Sequence, residues 1–382
     1  MSDNNIPFKI QVEIIKRLPL KSLIQFRSVS KTWKSLIDGS DFVAHYSGQQ
    51  QHLLVRYEDP DDSRHKYVCI ADDDSFPQHK VSPTIPVFVN MLKTWRIIGS
   101  SHGLVCLYDR KGMAAVWNPS IRKAVAVVVP DVTDRLYATV LGFGVCREAS
   151  VPKIVKIRHM ENTSCQVEVF TLTTEAWRTP HGNLPPKSIR FGYYKLVING
   201  FLYWLATHRD DGFDHYSLII SFDMTCEEFR QVNLPDSLAH RSHVDLSLSM
   251  LRESLVVLEC DLIADNLVFH VWMMEDGVPV SFTKLFPVNV NTPDAPLVCV
   301  CGFRKTGEPV IEIKEAHHDS IVSLAVYESY SKSINNLGIN GIICSFSVYP
   351  YMETLLLLDQ PDFVIYDKVK GTTEDCTSSL EM

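Results

Sequence analysis

The sequence predicts a small all-α segment of three helices at residues 1–46, followed by an all-β domain at residues 47–370. Three observations lead to this fold class. Apolar residues recur at helical spacing only near the start of the chain. The remainder alternates short apolar runs with turn residues, and aromatic residues recur there at intervals of 50 to 55 positions. Residues 371–382 are expected to form a disordered tail.

The first helix is expected to begin at Pro7, because the missing N–H of proline leaves no hydrogen bond unmade in a first helical turn. Ile10, Ile14 and Leu18 then recur every four residues, so they form one apolar stripe. Pro19 ends this helix and can begin the next one, since proline does not fit a helix interior.

Two further helices are expected before residue 46. The apolar face of the second comprises Leu20, Leu23, Ile24 and Phe26. Ser28 is the expected N-cap of the third, in which Val29 and Trp33 follow at helical spacing and which ends at Gly39. Three helices in about 40 residues bury little apolar surface alone. Either a partner protein or the downstream domain must therefore cover them.

The β domain contains an internal repeat. Its aromatic markers are Tyr67, Trp117, Phe170, Phe222, Trp272 and Tyr327. Most are followed by a short polar turn and a second strand-like run, as in V-W-N-P-S-I-R-K at 116–123. A repeat of this length with about four strands matches a β-propeller blade of the kelch size class. The domain is therefore predicted to be a six- or seven-bladed β-propeller, with a stacked β-sandwich array as the alternative.

The ring is expected to close by pairing an early strand with a late one. The early candidate is 53–57, and the late candidates are 355–358 and 364–366. Such closure would remove the open sheet edges that many short strands otherwise expose.

The composition of the chain restricts the class of protein to which it can belong. The chain of 382 residues is 46% hydrophobic and has no secretory-type start and no apolar run near the ~18 residues of a membrane span. We therefore expect a cytoplasmic or nuclear protein without a membrane partner, whose ten cysteines are buried and reduced.

The charge distribution is uneven. Residues 1–37 carry seven Lys or Arg against Asp3 and Glu13, a net charge of +5, although the whole chain carries −8. A basic segment on an acidic body indicates an acidic partner for the segment. A nucleic-acid partner is not expected, because the basic residues lie among buried-type apolar residues and stacking aromatics are scarce there.

Residues 6–37 resemble the F-box of plant F-box proteins. The resemblance is carried by the order I-P-x-x-I, E-I-I-x-R-L-P-L-K-S-L-I and F-R-S-V-S-K-x-W-K-S-L-I. It implies that eight residues contact a Skp-family adaptor or shape the surface that binds it: Pro7, Ile10, Ile14, Leu18, Pro19, Leu23, Val29 and Trp33. Lys9 and Ser28 depart from the family pattern, but neither change removes an apolar anchor.

The β domain resembles the F-box-associated region of the same proteins, which has a kelch-like character. The carriers include S-S-H-G-L-V-C-L at 100–107, L-G-F-G-V at 141–145 and V-I-N-G-F-L-Y-W-L-A at 197–206.

The two resemblances together imply a substrate-recognition subunit of a Skp–cullin–F-box ubiquitin ligase. Its partners would be the adaptor, the cullin and RING subunits behind it, and a protein client that the sequence does not identify. No cofactor and no catalysis by this chain are expected. The alternatives are a propeller enzyme or glycan-binding protein with a helical cap, and a scaffold that binds the adaptor without delivering a client.

Other candidate sites are weaker. The 142–147 segment lacks the third glycine of a dinucleotide loop. Cys299 and Cys301 share one strand face but have no second Cys/His pair at zinc spacing, so we interpret them as core thiols and predict no metal site. The groups at 208–215 and 317–319 are interpreted as solvated loop residues. Four residues near turns are the candidates for client contact: Trp95, Arg96, Tyr193 and Tyr194.

Overall fold

The computed structural model describes residues 6–91, 96–109, 111–131, 139–159, 165–209, 215–263, 266–290, 296–315, 320–361 and 364–366. Five side chains within these ranges are not described: Phe88, Met91, Tyr193, Arg209 and His215. The predicted tail at 371–382 lies outside the described residues. Among the described helices, none is long and apolar enough to cross a membrane.

The N-terminal segment contains four helices, one more than the sequence predicted. They are α1 (Phe8–Lys16), α2 (Leu20–Phe26), α3 (Lys31–Ile37) and α4 (Ser40–His45). Pro7 and Pro19 occupy the N-cap positions of α1 and α2. The N-cap of α3 is Ser30 and not Ser28, because the Ser30 hydroxyl accepts the Trp33 N–H at 3.2 Å. Residues 6–46 are called the head below.

The described strands form six sheets, which are the six blades of a β-propeller. Blade 1 contains β1 (Ser47–Glu58), β2 (His65–Ala71), β3 (Lys80–Val81) and β24 (Ser347–Thr354). Blade 2 contains β4 (Arg96–Ser101), β5 (Leu104–Tyr108), β6 (Met113–Asn118), β7 (Lys123–Val128) and β25 (Ile365–Tyr366). Blade 3 contains β8 (Thr139–Val145), β9 (Pro152–Arg158), β10 (Gln166–Thr171) and β11 (Ala176–Arg178).

The remaining blades repeat the same antiparallel order. Blade 4 contains β12 (Ile189–Ile198), β13 (Phe201–Arg209), β14 (His215–Asp223) and β15 (Phe229–Asn233). Blade 5 contains β16 (Leu246–Leu251), β17 (Ser254–Ile263), β18 (Asn266–Glu275) and β19 (Ser281–Asn289). Blade 6 contains β20 (Leu297–Phe303), β21 (Pro309–Lys314), β22 (Ile321–Glu328) and β23 (Ser333–Ile342). Two short helices, α5 (Val87–Met91) and α6 (Asp236–Ala239), lie in connections between blades.

The six aromatic markers of the sequence repeat correspond one to one to the six blades. Each of the six lies on the third strand of a different blade, counted from the centre of the ring. Five of them are buried in the core, and Trp272 is half-buried. Each copy of the repeat therefore marks the third strand of one blade. The lower of the two predicted blade counts, six, is confirmed.

The ring closes through blade 1, which combines strands from both ends of the chain. The predicted early strand is part of β1, but its partner is β24, with Val55 opposite Val348. The expected partners at 355–358 and 364–366 were wrong. Residues 355–358 form a buried turn, and Ile365–Tyr366 pairs in parallel with β7 of blade 2.

The head lies on the face of the ring where the innermost strands end. Ser47, the first residue after the head, pairs with Thr354, the last residue of β24. The Ser150 hydroxyl, in the connection from β8 to β9, donates to the Ala44 carbonyl at 3.0 Å. The opposite face of the ring is therefore turned away from the head.

The cysteines are less uniformly buried than the sequence led us to expect. Among the nine in the described residues, all are free thiols, and only Cys106, Cys146 and Cys165 are buried. Cys226 and Cys344 are exposed.

Candidate functional site

One side of the head is part of the core of the molecule. Its buried residues form one hydrophobic cluster with blades 2 and 3 and with the turn at 355–358: Ile15, Leu20, Leu23, Ile37, Phe42, Val43 and Tyr46. The Tyr46 hydroxyl also donates to the Leu18 carbonyl at 3.1 Å. These contacts hold α1 to α4 against blades 2 and 3 of the ring.

The other side of the head is an uncovered apolar surface. Six of the twenty large apolar side chains exposed among the described residues lie here: Ile6, Phe8, Ile10, Ile14, Phe26 and Val29. On α1, Ile10 and Ile14 are one turn apart and 52% and 48% exposed, while the adjacent Ile15 is 5% exposed and packs inward. We call these six residues the apolar strip.

Trp33 joins the strip to the core. It is half-buried against the hydrophobic cluster, and its ring stacks on that of Phe8 at a centroid distance of 6.2 Å. The Arg27 guanidinium, which donates to both oxygens of Asp38, ties α2 to the end of α3. The strip is thus held by packing and by an ion pair on its inner side.

Exposed cations surround the strip. Lys9, Arg17, Lys21, Lys31 and Lys34 are exposed. The one exposed acidic side chain of α1 to α3 is Glu13, and it pairs with Lys16 at 3.2 Å. The predicted positive charge of the head is therefore present at its surface.

A second candidate site is a cavity of about 440 Å³ in the centre of the ring. It is lined by the innermost strands of blades 4, 5, 6 and 1. Its lining runs along these strands, from Val244 and Cys344, which precede β16 and β24, to Phe303, the last residue of β20. Burial, followed by the charge of Arg96, lowers the pKa of Lys195 in its wall to about 8.

Cys299 and Cys301 lie in the same wall, and the Glu312 carboxyl lies next to them. The Cys299 and Cys301 sulfurs are 3.6 Å apart, and the Cys299 sulfur is 3.4 Å from Oε2 of Glu312. Burial raises the pKa of Glu312, and the contact with Cys301 together with burial raises that of Cys299. Sequence reasoning missed Glu312, because its place beside the thiols arises from pairing of β20 with β21 and has no spacing signal.

Comparison with known proteins identifies both parts of the chain. The F-box domain profile matches residues 4–45, and the F-box associated beta propeller domain profile matches residues 68–349, more than half of the chain. The chain belongs to the F-box proteins with an associated β-propeller. The head is thus the F-box. The similarity of the propeller to kelch proteins is limited to the length of the sequence repeat.

Two relatives from Arabidopsis thaliana illustrate this membership. An F-box/kelch-repeat protein is 26% identical over 75% of this chain and 80% of its own length. The F-box protein CPR1 is 26% identical over 74% of this chain and 73% of its own length. Among solved structures, the SapL1 lectin in complex with alpha methyl fucoside aligns over 78% of this chain and 96% of that chain, with 11% identity and a TM-score of 0.40.

The structure separates the eight F-box residues that sequence reasoning grouped together. Five are exposed: Pro7, Ile10, Ile14, Pro19 and Val29. Leu18 and Trp33 are half-buried. Leu23 is fully buried, so it can shape the F-box surface from below but does not line it.

The candidates for client contact have different outcomes. Trp95 and the side chain of Tyr193 lie outside what the structure describes, as do residues 210–214 and 317–319 of the two predicted loop groups. His208 is half-buried within β13, so the loop interpretation is wrong for that residue. Arg96 is exposed at the start of β4, and Tyr194 lines the central cavity. Tyr194 does not lie near a turn, as the sequence led us to expect, but within β12 where the register with β13 shifts.

Proposed function

We propose that this chain is the substrate-recognition subunit of a Skp–cullin–F-box ubiquitin ligase, working in the cytoplasm or nucleus. The observation that carries the proposal is the apolar strip on the F-box. A module whose inner side is already covered by the ring still exposes six large apolar side chains, and such patches mark interaction surfaces. A Skp-family adaptor is the occupant that the F-box implies.

The charge around the strip supports the same occupant. Five exposed cations on the F-box favour an acidic partner surface. Charges at the rim of an interface raise the association rate more than the final affinity, because they act over the distance of the encounter. Adaptor binding is therefore expected to slow at high salt while the apolar contacts hold the complex.

Delivery of a client requires a second surface. The ring face turned away from the F-box would be left free by an adaptor bound to the strip, and the central cavity is enclosed by innermost strands that run between the two faces. A client bound there would be held near the activated ubiquitin, which raises the effective concentration of its lysines. In this proposal no side chain of the chain takes part in the transfer reaction, and its role is positioning.

Adaptor binding is the first test. Ile10→Asp/Ile14→Asp places two charges in the strip without touching the core, and Leu262→Asp/Ile263→Asp is a matched control at two exposed apolar residues of blade 5. Binding of the purified chains to a Skp-family adaptor, measured by calorimetry, should weaken at least about ten-fold for the first variant and stay unchanged for the control.

Two results would contradict the proposal: a well-folded intact chain that does not bind the adaptor, or equal binding by the two variants. Binding without client ubiquitination in the reconstituted ligase would leave only the scaffold role.

A further inference from the structure

Beyond adaptor docking, two thiols at the central cavity and the carboxyl group beside them have the composition of a metal site. Cys299 and Cys301 lie on β20, and Glu312 lies opposite on β21. Their ligand atoms all lie within 4.8 Å of one another. Among the described residues, this is the one set of three His, Cys, Asp or Glu side chains that converges in this way.

The convergence of the two thiols is not a simple consequence of their spacing. Side chains two residues apart on a strand share a face but start about 6.6 Å apart. Here the sulfurs are 3.6 Å apart, in a stretch of β20 with register shifts on both sides, between Leu297 and Cys299 and between Val300 and Gly302. Such irregularities re-aim side chains.

Two of the three ligand-to-ligand distances match those around a tetrahedral zinc ion, and the third, from Cys301 to Glu312, is within 4.8 Å. With Zn–S of about 2.3 Å and Zn–O of about 2.1 Å, tetrahedral edges are about 3.8 Å for S···S and about 3.6 Å for S···O. The corresponding distances here are 3.6 Å between the sulfurs and 3.4 Å from Cys299 to Glu312. We propose that Cys299, Cys301 and Glu312 bind a thiophilic divalent cation such as Zn²⁺ beside the central cavity, which both cysteines line.

The environment of Glu312 supports a bound cation. Its side chain is completely buried, and no Lys, Arg or His side chain among the described residues pairs with it. A buried carboxylate without a cationic partner is costly. Its other oxygen, Oε1, accepts the Cys344 N–H at 2.5 Å, which orients Oε2 toward the thiols. Hydrogen bonds of this kind hold metal-ligating carboxylates in place.

A redox-active thiol pair is the competing role for the same cysteines. A disulfide would use only the two sulfurs and would leave Glu312 without a function. Zinc binding uses all three residues. Replacement of the glutamate therefore separates the two roles.

The test uses the full-length chain, treated with a chelator and a reductant and then titrated with Co²⁺, followed by displacement with Zn²⁺. The variants are Cys299→Ser, Cys301→Ser and Glu312→Gln, which keeps the acceptor for the Cys344 N–H. Cys226→Ser, at an exposed thiol in the turn between β14 and β15, is the matched control. Circular dichroism and thermal melting check that each variant is folded.

We expect one Co²⁺ per chain with thiolate-to-cobalt charge-transfer bands, and loss of the bands on adding Zn²⁺. Each serine variant should weaken these bands, and all three site variants should reduce affinity at least about ten-fold, while the control binds normally. Absence of stoichiometric binding while a thiol count shows both cysteines reduced would overturn the proposal. So would unchanged affinity in Glu312→Gln, or a reversible Cys299–Cys301 disulfide in a chain that binds no metal.

Discussion

Glu227 and Glu228 are neighbours in the sequence with opposite environments. Glu227 is buried between blades 3 and 4, where it accepts from Lys153 at 2.8 Å and from both terminal nitrogens of Arg178 at 2.6 and 2.7 Å. Burial raises the pKa of Glu227, but the hydrogen bonds from Arg178 and Lys153 outweigh this and hold it below the usual value. Glu228 is exposed and 4.0 Å from Arg230.

Glu227→Gln should therefore lower the free energy of unfolding at pH 7 by about 3 kcal/mol, the low end for a buried pair, since the Arg178 side chain is 41% exposed. Because the folded-state pKa is lowered, this contribution is present above the unfolded pKa of about 4.3 and is lost as the pH falls through the folded value. Urea unfolding at pH 7 and pH 4 should show the difference between wild type and variant shrinking. Glu228→Gln is the control, and an equal loss there would refute the assignment.

At the scale of elements, the segment that follows β24 supports the F-box. Residues 355–358 are buried in the cluster beneath the head, and residues 365–366 extend blade 2. The buried Asn118 amide donates to the Thr354 carbonyl at 2.9 Å and to the Leu356 carbonyl at 2.7 Å. Lys123 donates to the Leu358 carbonyl at 3.2 Å. The segment V-W-N-P-S-I-R-K at 116–123, which is part of the sequence repeat, thus also binds the segment that follows β24 through Asn118 and Lys123.

Asn118→Ala should release this segment, because two buried carbonyls lose their donor at a cost of about 1–3 kcal/mol each. Limited proteolysis should cut at residues 355–361 faster than in the wild type, and the melting temperature should fall. The exposed Asn233→Ala provides the comparison, with no change expected. If the segment stays protected in Asn118→Ala, then its packing alone holds it.

At the scale of the whole molecule, an ion pair joins blade 6 to blade 1, the blade that combines strands from both ends of the β domain. The completely buried Asp72 accepts from Arg304 Nε at 2.9 Å and from the Lys305 N–H at 2.8 Å. The Arg304 guanidinium also lies over the Phe76 ring at 3.9 Å. Each half of this contact comes from a connection between strands, 232 positions apart in the sequence.

Asp72→Ala should lower the free energy of unfolding by about 3 kcal/mol, since it leaves the largely buried Arg304 with only the longer ion pair to Glu308 at 3.5 Å. Hydrogen exchange should quicken in β1 and β24, because these strands close the ring. Asp61→Ala, a change at an exposed carboxylate in the turn between β1 and β2 of the same blade, should have a much smaller effect. Comparable losses in the two variants would mean that this ion pair carries no special share of the stability.

The sequence by itself determined the two-part organisation, the helical character of the F-box and a propeller of six or seven blades, and the structure decided that there are six. These features depend on local periodicity and on a repeated aromatic marker, which are present along the chain before it folds. The family resemblance was equally readable, since it rests on the order of short motifs.

Only the tertiary structure decided which apolar residues face solvent and which chain ends meet. Ile14 and Ile15 are adjacent isoleucines that the sequence alone does not distinguish. The ring beneath the head buries Ile15, whereas Ile14 stays exposed. The closing partner of β1 and the ion pair of Asp72 join residues distant along the chain, and the approach of Glu312 to two thiols depends on the register between β20 and β21. Their physical basis is contact between strands, which no local pattern encodes.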